Sequence, residues 1–318
     1  MHRSKTGLVE HAPERWQPKA REFHRRGVVT TYRLHDRLLS NRRARALYTA
    51  HRPSLDATQL RVVKEVHEQG YSQLPFTELF PEAVWDALSG EAAEFVDAAE
   101  RGLAGADDGL QSGARGKDFL IRRYDEHSTV PLDNPWLSVC LSRKMLDIAN
   151  EYLQLWSKLE YVDLWYSIPV GADAERKASQ IWHRDFNDRH LLKAFLYLSD
   201  VDEHSGPFEY VPGSQPGGRY ADVHPWAPMA IGRISDKELA KFVPSECIRT
   251  FTAPKGTIIF CNTSGLHRGG FAETNPRVLA PVTYCSPASL ASLTVRNYEL
   301  PRGTDLKALD PVVRYALT

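Results

Sequence analysis

His183, Asp185, His267 and Arg277 are the residues of this chain whose types and spacing could do chemistry. His183 and Asp185 stand two apart in a segment with strand character. Side chains of an extended strand alternate between faces, so this imidazole and this carboxylate face a common point. A second imidazole from a distant strand, His267, completes a two-histidine, one-carboxylate face of the kind that suits non-haem Fe(II) and leaves positions open. Arg277, ten residues further on, carries a planar fork suited to a bidentate grip on a carboxylate. The four read together as a metal centre with an anion-binding arm. Ordinary alternatives exist for each: a strand-end histidine beside a solvated aspartate, a surface-loop histidine, a structural ion pair for the arginine.

Positioning such a set is the work of strands, and the second half of the chain reads as a series of them. Extended segments are expected at 161–168, 179–186, 191–198, 208–211, 248–252, 257–261 and 278–285, with turn signals such as Ser205-Gly206-Pro207 and Pro254-Lys255-Gly256 between them. Short strands with tight turns argue for a sandwich or barrel of antiparallel sheets. His267 then lies beyond the buried strand Thr257–Phe260, and Gly269-Gly270 lets other groups approach closely. Arg277 is expected to open the adjacent returning strand, a little deeper in the barrel than the metal.

The first half reads as mostly helical, with an amphipathic pattern over 33–50. A second helix, 56–68, has Asp56 or Thr58 as N-cap and Gly70 as its stop. In a third, 81–100, Val84, Trp85, Leu88, Phe95 and Val96 share one stripe, and 136–155 is a fourth. Short strands are expected at 71–75 and 119–124, and 101–117 reads as a mobile loop. These helices would cover one sheet. The stretch 215–247, with little strand character, reads as a lid-like insertion beside the barrel mouth. The expected organisation is one structural domain, with a basic, mostly helical extension over 1–55 and the main body over 56–318.

The segment from Lys193 to Ser214 contains Leu198-Ser199-Asp200, Gly206-Pro207 and Pro212-Gly213-Ser214. With the His-x-Asp strand before it, His267-Arg268-Gly269 after it and Arg277 beyond, it closely resembles the phytanoyl-CoA dioxygenase family of Fe(II)/2-oxoglutarate oxygenases. The resemblance spans roughly residues 60–290. It implies a mainly β fold with flanking helices: a double-stranded β-helix, or jelly roll, with a helical N-terminal region on one sheet. It further implies Fe(II) on His183, Asp185 and His267, and Arg277 on the distal carboxylate of 2-oxoglutarate. The expected reaction consumes O2, releases succinate and CO2, and hydroxylates an unactivated C–H. Ring formation, epoxidation and desaturation are open to the same oxidant, whereas halogenation is disfavoured by the presence of Asp185. Two positions depart from the family pattern: Gln215 stands where many members have histidine, and Gly269 where some have serine. Lys193, Phe195 and Tyr197, on one strand face, are candidates for the missing co-substrate contacts. A cupin-like metalloenzyme that does not use 2-oxoglutarate, and a non-catalytic binding protein on the same scaffold, are the competing readings.

Candidates for the substrate are Arg122, Trp165 and Tyr166 on early strands, and Arg219, Trp226 and their neighbours Tyr220, Met229 and Arg233 in the insertion. At most one of Trp165 and Tyr166 should point inward. His190, His204 and His224 read as loop histidines. The substrate is expected to be a small molecule, anionic or carrier-linked, in a biosynthetic pathway. The 318 residues carry a formal net charge of zero, with 42% hydrophobic and 25% charged residues, which excludes a whole-chain footprint for nucleic acid. Residues 1–53 nevertheless hold 13 Lys or Arg against four acids, a basic arm that reads most simply as a solvated face. Four cysteines without a Cys-x-x-Cys pair favour a reducing, cytoplasmic setting. No apolar run reaches the roughly 18–20 residues of a membrane span.

Overall fold

The computed structural model describes residues 34, 36, 41–103, 111–112, 118–124, 128–227, 232–289 and 297–318. Its helices are α1 (Arg42–Ala50), α2 (Ala57–Gln69), α3 (Glu82–Leu103), α4 (Pro135–Leu141), α5 (Arg143–Leu153), α6 (Asp236–Leu239) and α7 (Pro311–Leu317). Its strands are β1 (Tyr71–Pro75), β2 (Gln111–Ser112), β3 (Leu120–Arg122), β4 (Lys158–Val162), β5 (Trp165–Ser167), β6 (Trp182–His183) and β7 (Leu191–Tyr197). They continue with β8 (Phe208–Tyr210), β9 (Arg233–Ile234), β10 (Arg249–Phe251), β11 (Thr257–Cys261), β12 (His267–Arg268) and β13 (Arg277–Cys285).

Two sheets result. The larger runs β1-β11-β7-β13-β5-β3-β2 with β4 also on β13, and the smaller runs β10-β8-β12-β6-β9. From β5 to β8 the chain changes sheet at every step, and from β10 to β13 it does so again. This winding sets β5-β13-β7-β11 against β6-β12-β8-β10, with antiparallel pairing throughout. That is a jelly roll, as the resemblance implies.

Alternation along the strands explains the layers. On β7, Leu192, Ala194 and Leu196 enter the core on the helical side, while Phe195 and Tyr197 enter the core between the sheets. Buried on both faces, β7 and β13 are accordingly almost continuously apolar. Val62 and Val66 of α2, Phe95 of α3, Trp136 of α4 and Ile148 of α5 cover the outer face of the large sheet. Ile234, Leu239 and Val243 from the insertion cover Trp182, Val211 and Leu266 of the small sheet and its loops. Helix α2 starts where Asp56 and Gln59 cap each other's backbone N–H and stops at Gly70, whose φ is 92°. Strands β1 and β11 keep the expected boundaries.

Several expectations are corrected. The helix expected over 136–155 is two, because Ser142 turns extended (ψ 150°) and caps α5. The segment 161–168 is likewise divided between β4 and β5 by Asp163 and Leu164. Strand β6 ends at His183, so Asp185 lies just past it. The insertion contributes β9, which pairs with β6 at the edge of the small sheet. Arg277 is not on the strand adjacent to His267: β12 belongs to the small sheet and β13 to the large one, because residues 269–276 cross between them. Of the 33–50 pattern, α1 is seen, while Leu38 and Leu39 lie outside the described residues. So does most of the basic arm and most of the loop expected over 101–117. Among the described residues no helix is long and apolar enough to cross a membrane, and Cys140, Cys247, Cys261 and Cys285 are free thiols.

Candidate metal centre

His183, Asp185 and His267 converge, with one ligand atom from each lying within 4.8 Å of the others. Nε2 of His183 is 3.8 Å from Oδ1 of Asp185, and Nε2 of His267 is 3.7 Å from Oδ2. The convergence comes from cross-strand register, since β12 sets His267 directly opposite His183 on β6. Each ring is oriented by a carbonyl two residues before it. Nδ1 of His183 lies 2.8 Å from the Ile181 oxygen, and Nδ1 of His267 lies 3.0 Å from the Gly265 oxygen. A carbonyl only accepts, so each Nδ1 carries the proton and each Nε2 turns a lone pair inward. Burial and the neighbouring His183 push His267 down to about 3, which keeps it neutral. Burial would raise the Asp185 carboxyl, but Lys193, with both imidazoles, holds it well below the carboxylate range. The Lys193 ammonium pairs with Oδ2 of Asp185 at 2.6 Å. Burial opposes the Lys193 charge, but Asp185 outweighs it and raises the amine.

These groups border a cavity of about 610 Å³ that also holds Phe195, Phe208, Trp165, Leu279 and Arg277. Arg277 is 4% exposed, and its Nε has no hydrogen-bond partner. Its Nη2 donates to Ser167 Oγ at 3.5 Å, and among the described residues no carboxylate lies within ion-pair distance of it. Burial lowers the guanidinium, offset by Tyr197. The backbone is kept bare around it: a Cβ at Gly270 (φ 87°) would sit 3.3 Å from Nη2, and one at Gly269 3.6 Å from Nη1.

Two neutral imidazoles and a carboxylate fit a divalent first-row ion such as Fe(II), and three protein ligands leave positions open. The uncompensated guanidinium in the same cavity fits a carboxylate. Lys193 and Phe195 line this cavity as expected. Tyr197 does not: its hydroxyl donates to the Phe251 carbonyl at 3.0 Å, in the core between the sheets. Trp165 faces the cavity, and its neighbour Tyr166 faces the helical core, as alternation demands. Arg122 lies off this cavity, with Nε on Asp163 at 2.7 Å. Arg219 also stands away from it, over the Tyr220 ring at 4.6 Å. Trp226 does reach the centre, but through backbone, donating from Nε1 to the Asp185 carbonyl at 2.7 Å. Gln215 is turned away, towards the last turn of α2. Met229 lies outside the described residues. His190, His204 and His224 sit in loops.

Arg184, between His183 and Asp185, faces away from the candidate site, as strand alternation requires, and is structural. Buried behind the ligands, it donates to the carbonyls of Ser214 and Ser264 at 2.6 and 2.7 Å and to those of Val223 and His224 at 2.9 and 2.7 Å. It fastens the start of the insertion to the ligand segment. Its acceptors lie 30 to 80 residues away along the chain, where nothing local in the sequence marks them.

No protein-family model matches the chain, and no curated protein matches it. Among solved structures it is similar to the non-heme alpha ketoglutarate dependent epimerase SnoN from nogalamycin biosynthesis, at 17% identity over 72% of this chain and 83% of that one, TM-score 0.46. It is similar also to EctD from S. alaskensis with bound Fe, at 16% identity over 78% and 88% of the two chains, TM-score 0.49. A third is HygX from Streptomyces hygroscopicus with nickel and 2-oxoglutarate bound, at 17% identity over 73% and 87%, TM-score 0.45.

Proposed function

We propose that the chain is an Fe(II)/2-oxoglutarate-dependent oxygenase that hydroxylates a C–H of a small organic molecule in a biosynthetic pathway. One observation carries this reading: a buried arginine without an anionic partner shares a cavity with a two-histidine, one-carboxylate triad. His183, Asp185 and His267 would hold the iron, and Arg277, with Ser167 beside it, the distal carboxylate of the co-substrate. Iron, 2-oxoglutarate and O2 together supply the oxidation, with release of succinate and CO2. The protein's own part is to orient and exclude. The Ile181 and Gly265 carbonyls fix the imidazoles, and Lys193 keeps Asp185 anionic while occupying one of its oxygens. Phe195, Phe208 and Leu279 wall the co-substrate from water.

Anaerobic titration with Fe(II) and then 2-oxoglutarate tests this. The expected result is a visible charge-transfer band that requires both. Charge-assisted hydrogen bonds are worth about 1.5–3 kcal/mol, so Arg277→Ala should weaken 2-oxoglutarate roughly tenfold to a hundredfold. An Arg277→Ala protein of undiminished affinity would overturn the assignment and favour a metal site that does not use the keto-acid.

A further inference from the structure

The inner face of the large sheet continues past the triad. Register between β7 and β13 sets Tyr197 beside Leu279, Phe195 beside Pro281 and Lys193 beside Thr283. Alternation points these residues, with Arg277, to the same side. Arg277 and Thr283 mark the two ends of this row, about 20 Å apart at the rise of an extended strand. The metal cavity occupies the Arg277 end. Towards Thr283 lies a second chamber of about 700 Å³, bounded by Arg122, Glu160, Tyr161 and Asn187. The two cavities share Leu120, Trp165, Lys193 and Phe195 as walls. A molecule in the second chamber therefore approaches the triad past Lys193.

The charged groups of this chamber are paired, with one exception. Arg122 donates to Asp163 at 2.7 Å, and Lys193 holds Asp185 at 2.6 Å. Glu160 has no cation within ion-pair distance among the described residues. Its Oε1 accepts from Asn187 at 2.8 Å and its Oε2 from Ser289 at 3.0 Å. Both donors are neutral, so they leave the charge uncompensated and lone pairs to spare. Lys193 feels Glu160 through space but is committed to Asp185. Arg122, for its part, has a buried Nη2 without a hydrogen-bond partner. The cavities are thus opposite in sign: an unpaired cation, Arg277, in the first and an unpaired anion, Glu160, in the second. A half-buried carboxylate is costly to keep unless a ligand neutralises it.

We propose that the second chamber is the substrate site and that it selects a small polar molecule bearing an amine. Glu160 is the counter-ion of its ammonium, and Arg122 Nη2 donates to an acceptor on the same molecule. This rests on the co-substrate reading of the first cavity. There the distal carboxylate of the co-substrate takes Arg277, so the carboxylate left without a cation among the described residues of the two cavities is Glu160.

The test uses the full chain loaded with Ni(II) and 2-oxoglutarate, which fills the first cavity without turnover. A fragment library divided equally among primary amines, carboxylates and neutral polyols is screened by ligand-observed NMR. Amines should dominate the bound set, and Glu160→Gln should weaken them at least tenfold. Carboxylates or polyols binding as well as amines, no amine binding at all, or amine binding unmoved in Glu160→Gln would each overturn the proposal. The class preference is read on the unaltered protein, so it stands even where the variant does not fold. 2-Oxoglutarate affinity is titrated on the same samples, and a protein that does not bind it contradicts the co-substrate reading instead.

Discussion

Two side chains carry most of the chemical meaning of the centre, and each depends on a bare backbone nearby. His267 is oriented by the Gly265 carbonyl at 3.0 Å. Arg277 has its fork closest to Gly270, where a Cβ would sit 3.3 Å from Nη2. Gly270→Ala tests the second dependence. Alanine at φ 87° is strained, by roughly 1–2 kcal/mol, and its Cβ would press on Nη2 from 3.3 Å. Stability measured by urea denaturation should fall by about that amount, and 2-oxoglutarate affinity should fall several-fold. Unchanged affinity would show that the fork does not need the space.

At the scale of elements, the centre depends on how segments are tied to one another. Arg184 ties the insertion to the ligand segment through the carbonyls of Ser214, Ser264, Val223 and His224. Arg184→Lys retains the charge but not the planar fork. It should weaken Co(II) affinity at least tenfold and speed proteolysis between residues 215 and 227; equal affinity and equal cleavage would make the tie merely local. Helix α2, which abuts the Pro212-Gly213-Ser214 turn through Gln215, is held at its start by Asp56. Its carboxylate accepts from the Gln59 N–H at 2.9 Å and pairs with Lys144 at 2.5 Å. Lys144, then the backbone donor, lowers the Asp56 carboxyl below its ordinary 3.8. The folded value lies under the unfolded one, so this contribution is present above pH 3.8 and lost as pH falls below it. Asp56→Ala should cost about 1 kcal/mol at neutral pH. Thermal melts of the two proteins should converge as the pH is lowered through that range.

Across the whole molecule, the three candidate ligands come from the end of β6, from the residue two beyond it and from β12, so a bound ion would cross-link distant parts of the chain. An ion that binds only the folded state stabilises it by about 2.7 kcal/mol at a hundred times its Kd. Adding Fe(II) anaerobically should therefore raise the Tm by several degrees, and a chelator should reverse the rise. His183→Ala should show neither effect. A wild-type Tm indifferent to both metal and chelator would argue against a metal centre of useful affinity.

How much of this was legible in the sequence follows from the range of each interaction. His183 and Asp185 are two residues apart, so local alternation alone sets them on one side, even though the regular strand stops between them. The strands β1, β7, β11 and β13 declare themselves by apolar runs between turns, and α2 by its cap and its glycine. Arg277 could be singled out by type and position, but not the sheet it lies on, because that depends on where residues 269–276 cross. Tyr197 and Tyr166 show the same limit: period two divides a strand into faces without saying how deep each residue lies or which face meets the cavity. Glu160 escaped notice altogether, since its significance is the absence of a cation around it, a property of strands β3, β4, β7 and β13 jointly. The sequence by itself determined the candidate donor set, the long buried strands β7, β11 and β13 and the arginine, because these rest on residue type and near-neighbour geometry. Only the tertiary structure decided which charges are left unpaired, because compensation is settled by groups far apart in the chain that packing brings within a few ångströms.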